Sequence, residues 1–125
     1  MRIPIILALA VLTVGCSSRG TADRQLDNAY RFYAEGDCNQ AALALSRAER
    51  GLRLGSPVQA EISLLRGQCL ERQALFLDAA QTYQFILSRY PASEYAYRAR
   101  ARLDTLRQLG HGAGGEPVVV TPVKP

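Results

Sequence analysis

From residue 22 to residue 109 the apolar side chains recur at intervals of three and four, and no run in that stretch alternates in twos. Spacing of three and four gathers side chains on one face of a helix, whereas a strand needs period two. The stretch is therefore expected to be all-α, with no sheet. Five stripes are legible. They are Leu26, Ala29, Tyr30 and Tyr33; then Ala41, Ala44, Leu45, Ala48 and Leu52; then Val58, Ile62, Leu65 and Cys69; then Phe76, Ala79, Ala80, Tyr83, Ile86 and Leu87; then Tyr95, Ala99, Leu103 and Leu106.

Punctuation separates the stripes. Gly36 suits a left-handed helix end. Asp37 with Gln40 three residues on forms a capping-box arrangement opening the second helix. Gly55 is expected to stop that helix. Ser56-Pro57 opens the third, since serine caps and proline fits the first turn, where its missing N–H costs nothing. A break falls near Gln73 to Leu75. Tyr90-Pro91 ends the fourth helix, and Ser93 caps the fifth. Residues 110–125 turn to Gly and Pro, which do not hold a helix, and are expected to be a disordered tail.

The N-terminus obeys a different rule. Arg2 precedes thirteen uncharged residues, Ile3 to Gly15. A membrane-spanning helix needs about 20 apolar residues, so this run is too short. Its layout is that of a secretory signal. It closes on Leu12-Thr13-Val14-Gly15-Cys16, which resembles the lipobox of bacterial lipoproteins. That resemblance implies cleavage before Cys16 and a fatty-acylated, palmitate-type modification of its thiol. Residues 1–15 are then signal peptide and residues 16–21 a lipidated tether. Ser17, where an Asp would retain such a protein at the inner membrane, implies the inner leaflet of the outer membrane, with the domain facing the periplasm. The alternative is a plain signal followed by a free cysteine.

The whole chain carries a net charge of +4, with Lys124 the one lysine. So mild a charge, spread over helix faces, argues against nucleic-acid binding. Apart from Cys16 there are two cysteines, Cys38 and Cys69. In an oxidising compartment they are expected to form a disulfide; two buried thiols acting as small hydrophobes are the alternative.

Ala22 and Ala60 begin two segments of shared outline, offset by 38 residues. Ala29, Phe32, Gly36-Asp37, Ala41, Leu45 and Ala48 in the first answer to Gly67, Leu70, Phe76, Ala79, Tyr83, Ile86 and Pro91 in the second. The pattern resembles the tetratricopeptide repeat (TPR), whose unit is about 34 residues. The stretch FLDAAQTYQFILSRYPASEYAYRARARL is similar in module to the repeats of bacterial outer-membrane assembly and Tol–Pal coordinator TPR proteins. The resemblance implies antiparallel helical hairpins stacked as a short solenoid of about two and a half repeats and five helices, over residues 22–109. It also sets Cys38, early in the second helix, beside Cys69, late in the third.

No chemistry of an enzyme emerges. His111 is the one histidine and lies in the Gly-rich tail. No metal-ligand cluster, phosphate loop or nucleophile–base pair is found, and no cofactor or metal is expected. What the TPR resemblance implies instead is a binding surface on the inner face of the first helix of each unit. The matching positions are Leu26, Tyr30 and Tyr33, then Leu64, Gln68, Glu71 and Arg72, then Arg98 and Arg102. Tyrosines offer stiff amphipathic contact area, and Arg98 with Arg102, one turn apart, suits a carboxylate; core packing and a solvated face are the plainer roles for the same residues. The expected function is a lipid-anchored adaptor that holds a protein or peptide partner in envelope assembly or maintenance. Alternatives are a pilotin-like escort of a secretin, or a coordinator of cell division or cell-wall work. Oligomeric state is left open by the sequence.

Overall fold

The computed structural model describes residues 14–111, with side chains from residue 20 onward. The regular structure within them is all helical: α1 (Val14–Ala34), α2 (Cys38–Arg50), α3 (Val58–Arg72), α4 (Phe76–Arg89) and α5 (Glu94–Gln108). Short connections fold each helix back along the one before. The result is a small repeat-like stack of antiparallel hairpins. No described helix is long and apolar enough to cross a membrane. The expected signal segment up to residue 13 and the tail from residue 112 lie outside the described residues.

Local chemistry sets most helix ends. Gly36 adopts φ 81°, and Asp37 Oδ1 accepts the Gln40 N–H at 3.0 Å. Ser93 Oγ accepts the Tyr95 N–H at 3.1 Å. Three boundaries depart from expectation. α1 starts at Val14, so residues 16–21, expected as a tether, continue its helix. α2 ends at Arg50 rather than near Gly55, because the Gly51 N–H already bonds back to the Ala48 and Glu49 carbonyls. Leu52 therefore lies beyond the helix, although it still packs on the core. At the start of α3 the cap position belongs to Pro57, and Ser56 Oγ reaches the Val58 N–H only at 3.4 Å.

The stack is organised around α3. It packs against every other helix, while α2 and α4 make no close backbone approach to each other. Two cores meet on it. Ile62 and Leu65 join Leu26, Ala29, Ala44, Leu45 and Ala48 on one side. Ala60 and Leu64 join Ala79, Ala80, Tyr83, Ile86, Ala96, Ala99, Leu103 and Leu106 on the other. Many of these are alanines, which let helix axes approach closely. The tightest approach is between α3 and α4, where Gly67 lies against the fully buried Tyr83 ring. Cys38 and Cys69 come to disulfide distance between α2 and α3, with Cα atoms 5.3 Å apart, and pack with Ala41.

Candidate partner-binding face

Because α3 touches both α1 and α5 directly and α2 and α4 stay apart, the first helices of the hairpins form one wall. The residues expected on that wall divide into three kinds.

Leu26 and Leu64 belong to the core. They retain 8% and 4% of their exposure and sit in the two apolar clusters. Neither is free to meet a partner. An apolar residue on a helix flanked by others is buried between them, and family spacing alone does not distinguish that edge from the open wall.

Glu71, Arg72, Arg102 and Tyr33 are tied into the scaffold. Glu71 accepts the Tyr83 hydroxyl at 2.5 Å and Arg102 Nε at 2.9 Å, with a second bond from Arg102 Nη2. This joins α3, α4 and α5. Partial burial works to raise the Glu71 pKa, but hydrogen bonds from Arg102 and Tyr83 and the Arg102 charge outweigh it and hold it below the usual carboxylate range. The hydrogen bond to Glu71 raises the Arg102 pKa in turn. Arg72 lies 3.5 Å from the Tyr33 ring centroid and donates to the Tyr33 carbonyl at 2.5 Å, joining α3 to α1. A guanidinium over a ring face is attracted by its quadrupole. These side chains are fasteners, with Gln68 partly exposed among them on α3.

Tyr30 and Arg98 remain open. Tyr30 keeps 40% of its exposure and donates its hydroxyl to Glu61 Oε1 at 2.7 Å. Burial, then Glu61, raises its pKa above the usual tyrosine range. Arg98 is exposed; its guanidinium lies 5.7 Å from the Tyr95 ring and 3.9 Å from Glu94. Burial, then the charge of Glu61, pushes the Tyr95 hydroxyl up to about 12. Tyr30 of α1, Glu61 of α3 and Tyr95 with Arg98 of α5 thus form one continuous polar and aromatic patch across three helices. The sequence reading missed Glu61 and left Tyr95 inside the fifth helix. A signal was present for Glu61: it precedes Gln68 by seven residues, two helical turns, and so shares its face.

No known family, characterised protein or solved structure matches this chain. The patch therefore has to be judged on its own chemistry. Among the described residues no group of three or more His, Cys, Asp or Glu side chains is arranged to hold a metal. A second cleft, about 470 Å³, opens between α2 and α4 on the opposite surface, with Glu49, Gln59, Ser63 and Arg66 along its floor. Those groups already satisfy one another. Arg66 binds both Glu49 oxygens, at 2.5 and 3.0 Å, and Gln59 Nε2 donates to Glu49 at 2.8 Å and to Ser63 at 3.2 Å. The α1–α3–α5 wall differs in presenting an aromatic face and a guanidinium, that of Arg98, held only by an exposed, 3.9 Å ion pair to Glu94 and the Tyr95 ring.

Proposed function

We propose that this chain is a lipid-anchored, periplasm-facing TPR adaptor of the bacterial envelope that holds a protein or peptide segment against the α1–α3–α5 wall. The observation that carries the reading is the convergence of Tyr30, Glu61, Tyr95 and Arg98 from three separate helices. Rigid aromatic area beside an exposed arginine is the composition of an interface anchor. Three helices in register give it the length to follow an extended segment or a partner helix. Gly15-Cys16 after the Arg2-led apolar run supports acylation of Cys16. The anchor would confine the adaptor to a surface and raise its effective concentration near membrane partners.

The test is a photocrosslinking amino acid at position 30 in cells, followed by mass spectrometry of the adducts. A discrete partner that is lost in a Tyr95→Ala, Arg98→Ala chain supports the reading. Crosslinks that survive those changes, or that fall only on bulk abundant proteins, would refute the wall as the binding face. Intact mass of the purified protein checks the anchor: an unmodified chain starting at Met1 would remove it.

A further inference from the structure

We infer that the corner carrying Arg50, Arg53, Leu54 and Arg89 rests on an anionic phospholipid surface, so that a second contact orients the anchored domain. This builds on the acylation of Cys16 proposed above. The antiparallel stack has two ends. α1, α3 and α5 begin, and α2 and α4 finish, at the same one. There Ala22 of α1 and the loop of residues 51–57 line one cleft, and Arg53, Leu54, Arg89 and Tyr90 line the next. Cys16 stands six residues before Ala22 in the same helix, about 9 Å further along its axis. The lipid attachment and the arginine corner thus share an end. Tilting the domain toward the α2–α3 loop brings the corner down to the lipid. Cys38, Cys69 and the Phe76–His111 stack mark the opposite end.

The chemistry of the corner suits that surface. Leu54 is fully exposed, held at the tip of a tight turn by Gly55 at φ 77°. An isolated leucine kept wholly in water gains by entering an apolar layer. Arg50, Arg53 and Arg89 are exposed, and none of the three has an ion-pair partner among the described residues. The acids at this end are Asp23, Glu94 and Glu49; Glu49 lines the cleft with Arg53 and Arg89, but its charge is taken up by Arg66, which holds both its oxygens. Guanidinium groups bind phosphate oxygens in paired fashion, and an apolar tip among cations is the pattern of an interfacial contact. A protein partner would also accept Leu54, but the anchor at the same end already holds lipid within reach.

Tryptophan fluorescence tests this without a background, because the chain contains no Trp. The acylated Leu54→Trp protein, starting at Cys16, is placed in vesicles of phosphatidylcholine and phosphatidylglycerol. Leu77→Trp, an exposed position on α4 at the opposite end, is the control. Expected are a blue-shifted Leu54→Trp emission and quenching that grows with brominated-lipid content, neither of them in the control. Replacing Arg50 and Arg53 by Glu should reduce both effects. Water-like emission from acylated Leu54→Trp protein would overturn the orientation and leave the anchor standing. Intact mass that shows no acyl chain would overturn the anchor and the orientation together. Equal quenching of both tryptophans would overturn the assignment of this corner.

Discussion

Gly67→Ala is the sharpest test of how closely α3 and α4 approach. Taken alone, the change should help: alanine is favoured over glycine in a helix interior by about 1 kcal/mol. The tertiary structure reverses the sign. A β-carbon at residue 67 would lie 2.4 Å from Tyr83 Cε1, 2.9 Å from Cζ and 3.0 Å from Cδ1. Carbon atoms normally rest about 3.5–4.0 Å apart, so the ring must move by roughly 1 Å. It has little freedom to do so. Tyr83 is fully buried, and its hydroxyl is bonded to Glu71, which Arg102 also holds. Overpacking a core costs about 1–3 kcal/mol, and the pinned hydroxyl argues for the upper part of that range. Setting this against the helix gain leaves a net loss of about 2 kcal/mol. For a domain of this size that lowers the melting temperature by about 10 °C. Urea unfolding followed by far-ultraviolet circular dichroism measures it, with an unchanged m-value as the check that the two end states are comparable. A second background gives the internal control. Tyr83→Leu removes Cε1 and Cζ, and in that background Gly67→Ala should turn neutral or stabilising, a coupling of opposite sign to the single change. If Gly67→Ala alone raises stability by the amount helix propensity predicts, the helices do not approach as described, and the close-packed hairpin is wrong.

Three further outcomes follow from the same contacts. Ala74 holds φ 59° in the α3–α4 turn, a conformation that costs a β-carbon roughly 1–2 kcal/mol; Ala74→Gly should therefore stabilise by about 0.5–1 kcal/mol after its entropy cost, and urea unfolding showing a loss would refute the strained turn. Glu71 and Glu49 have pKa values held below the usual range: burial opposes this, and their arginine partners, with Tyr83 and Gln59, outweigh it. The unfolded chain thus binds more protons in acid, so their contribution is complete above about pH 4.3 and is lost as pH falls through the folded values; Glu71→Gln should flatten that acid limb, and an unchanged limb would mean the carboxylate is not held charged. Cys38 and Cys69, 31 residues apart in sequence, should titrate as no free thiol in the denatured, unreduced protein, and reduction should cost about 3–4 kcal/mol of stability through loop-closure entropy; two titratable thiols would exclude the bridge.

Much of the helical layout was legible along the chain because helix ends are local events. Asp37 and Ser93 cap through neighbours two or three residues away, and Gly36 turns left-handed because nothing about a glycine prevents it. Gly55 alone was the expected end of α2, and the helix stops short of it because the Gly51 N–H bonds back to the Ala48 and Glu49 carbonyls. Ala74 gave no warning at all, since alanine is not a residue expected at positive φ.

The sequence by itself determined that this stretch is helical, how many helices it holds and which stripe of each is apolar, because periodicity and capping are properties of adjacent residues. Only the tertiary structure decided what each stripe faces. Residues Ile62, Leu64 and Leu65 look alike in sequence, yet Leu64 turns to α4 and α5 while the other two turn to α1 and α2. Leu64 was thereby removed from the open wall, and Glu71 and Arg102 became fasteners between helices. Glu61 and Tyr95 became surface companions of Tyr30 and Arg98. The physical reason is that a helix packed on two sides buries two faces. The angle between those faces is fixed by its neighbours and is not written in the spacing of its own residues.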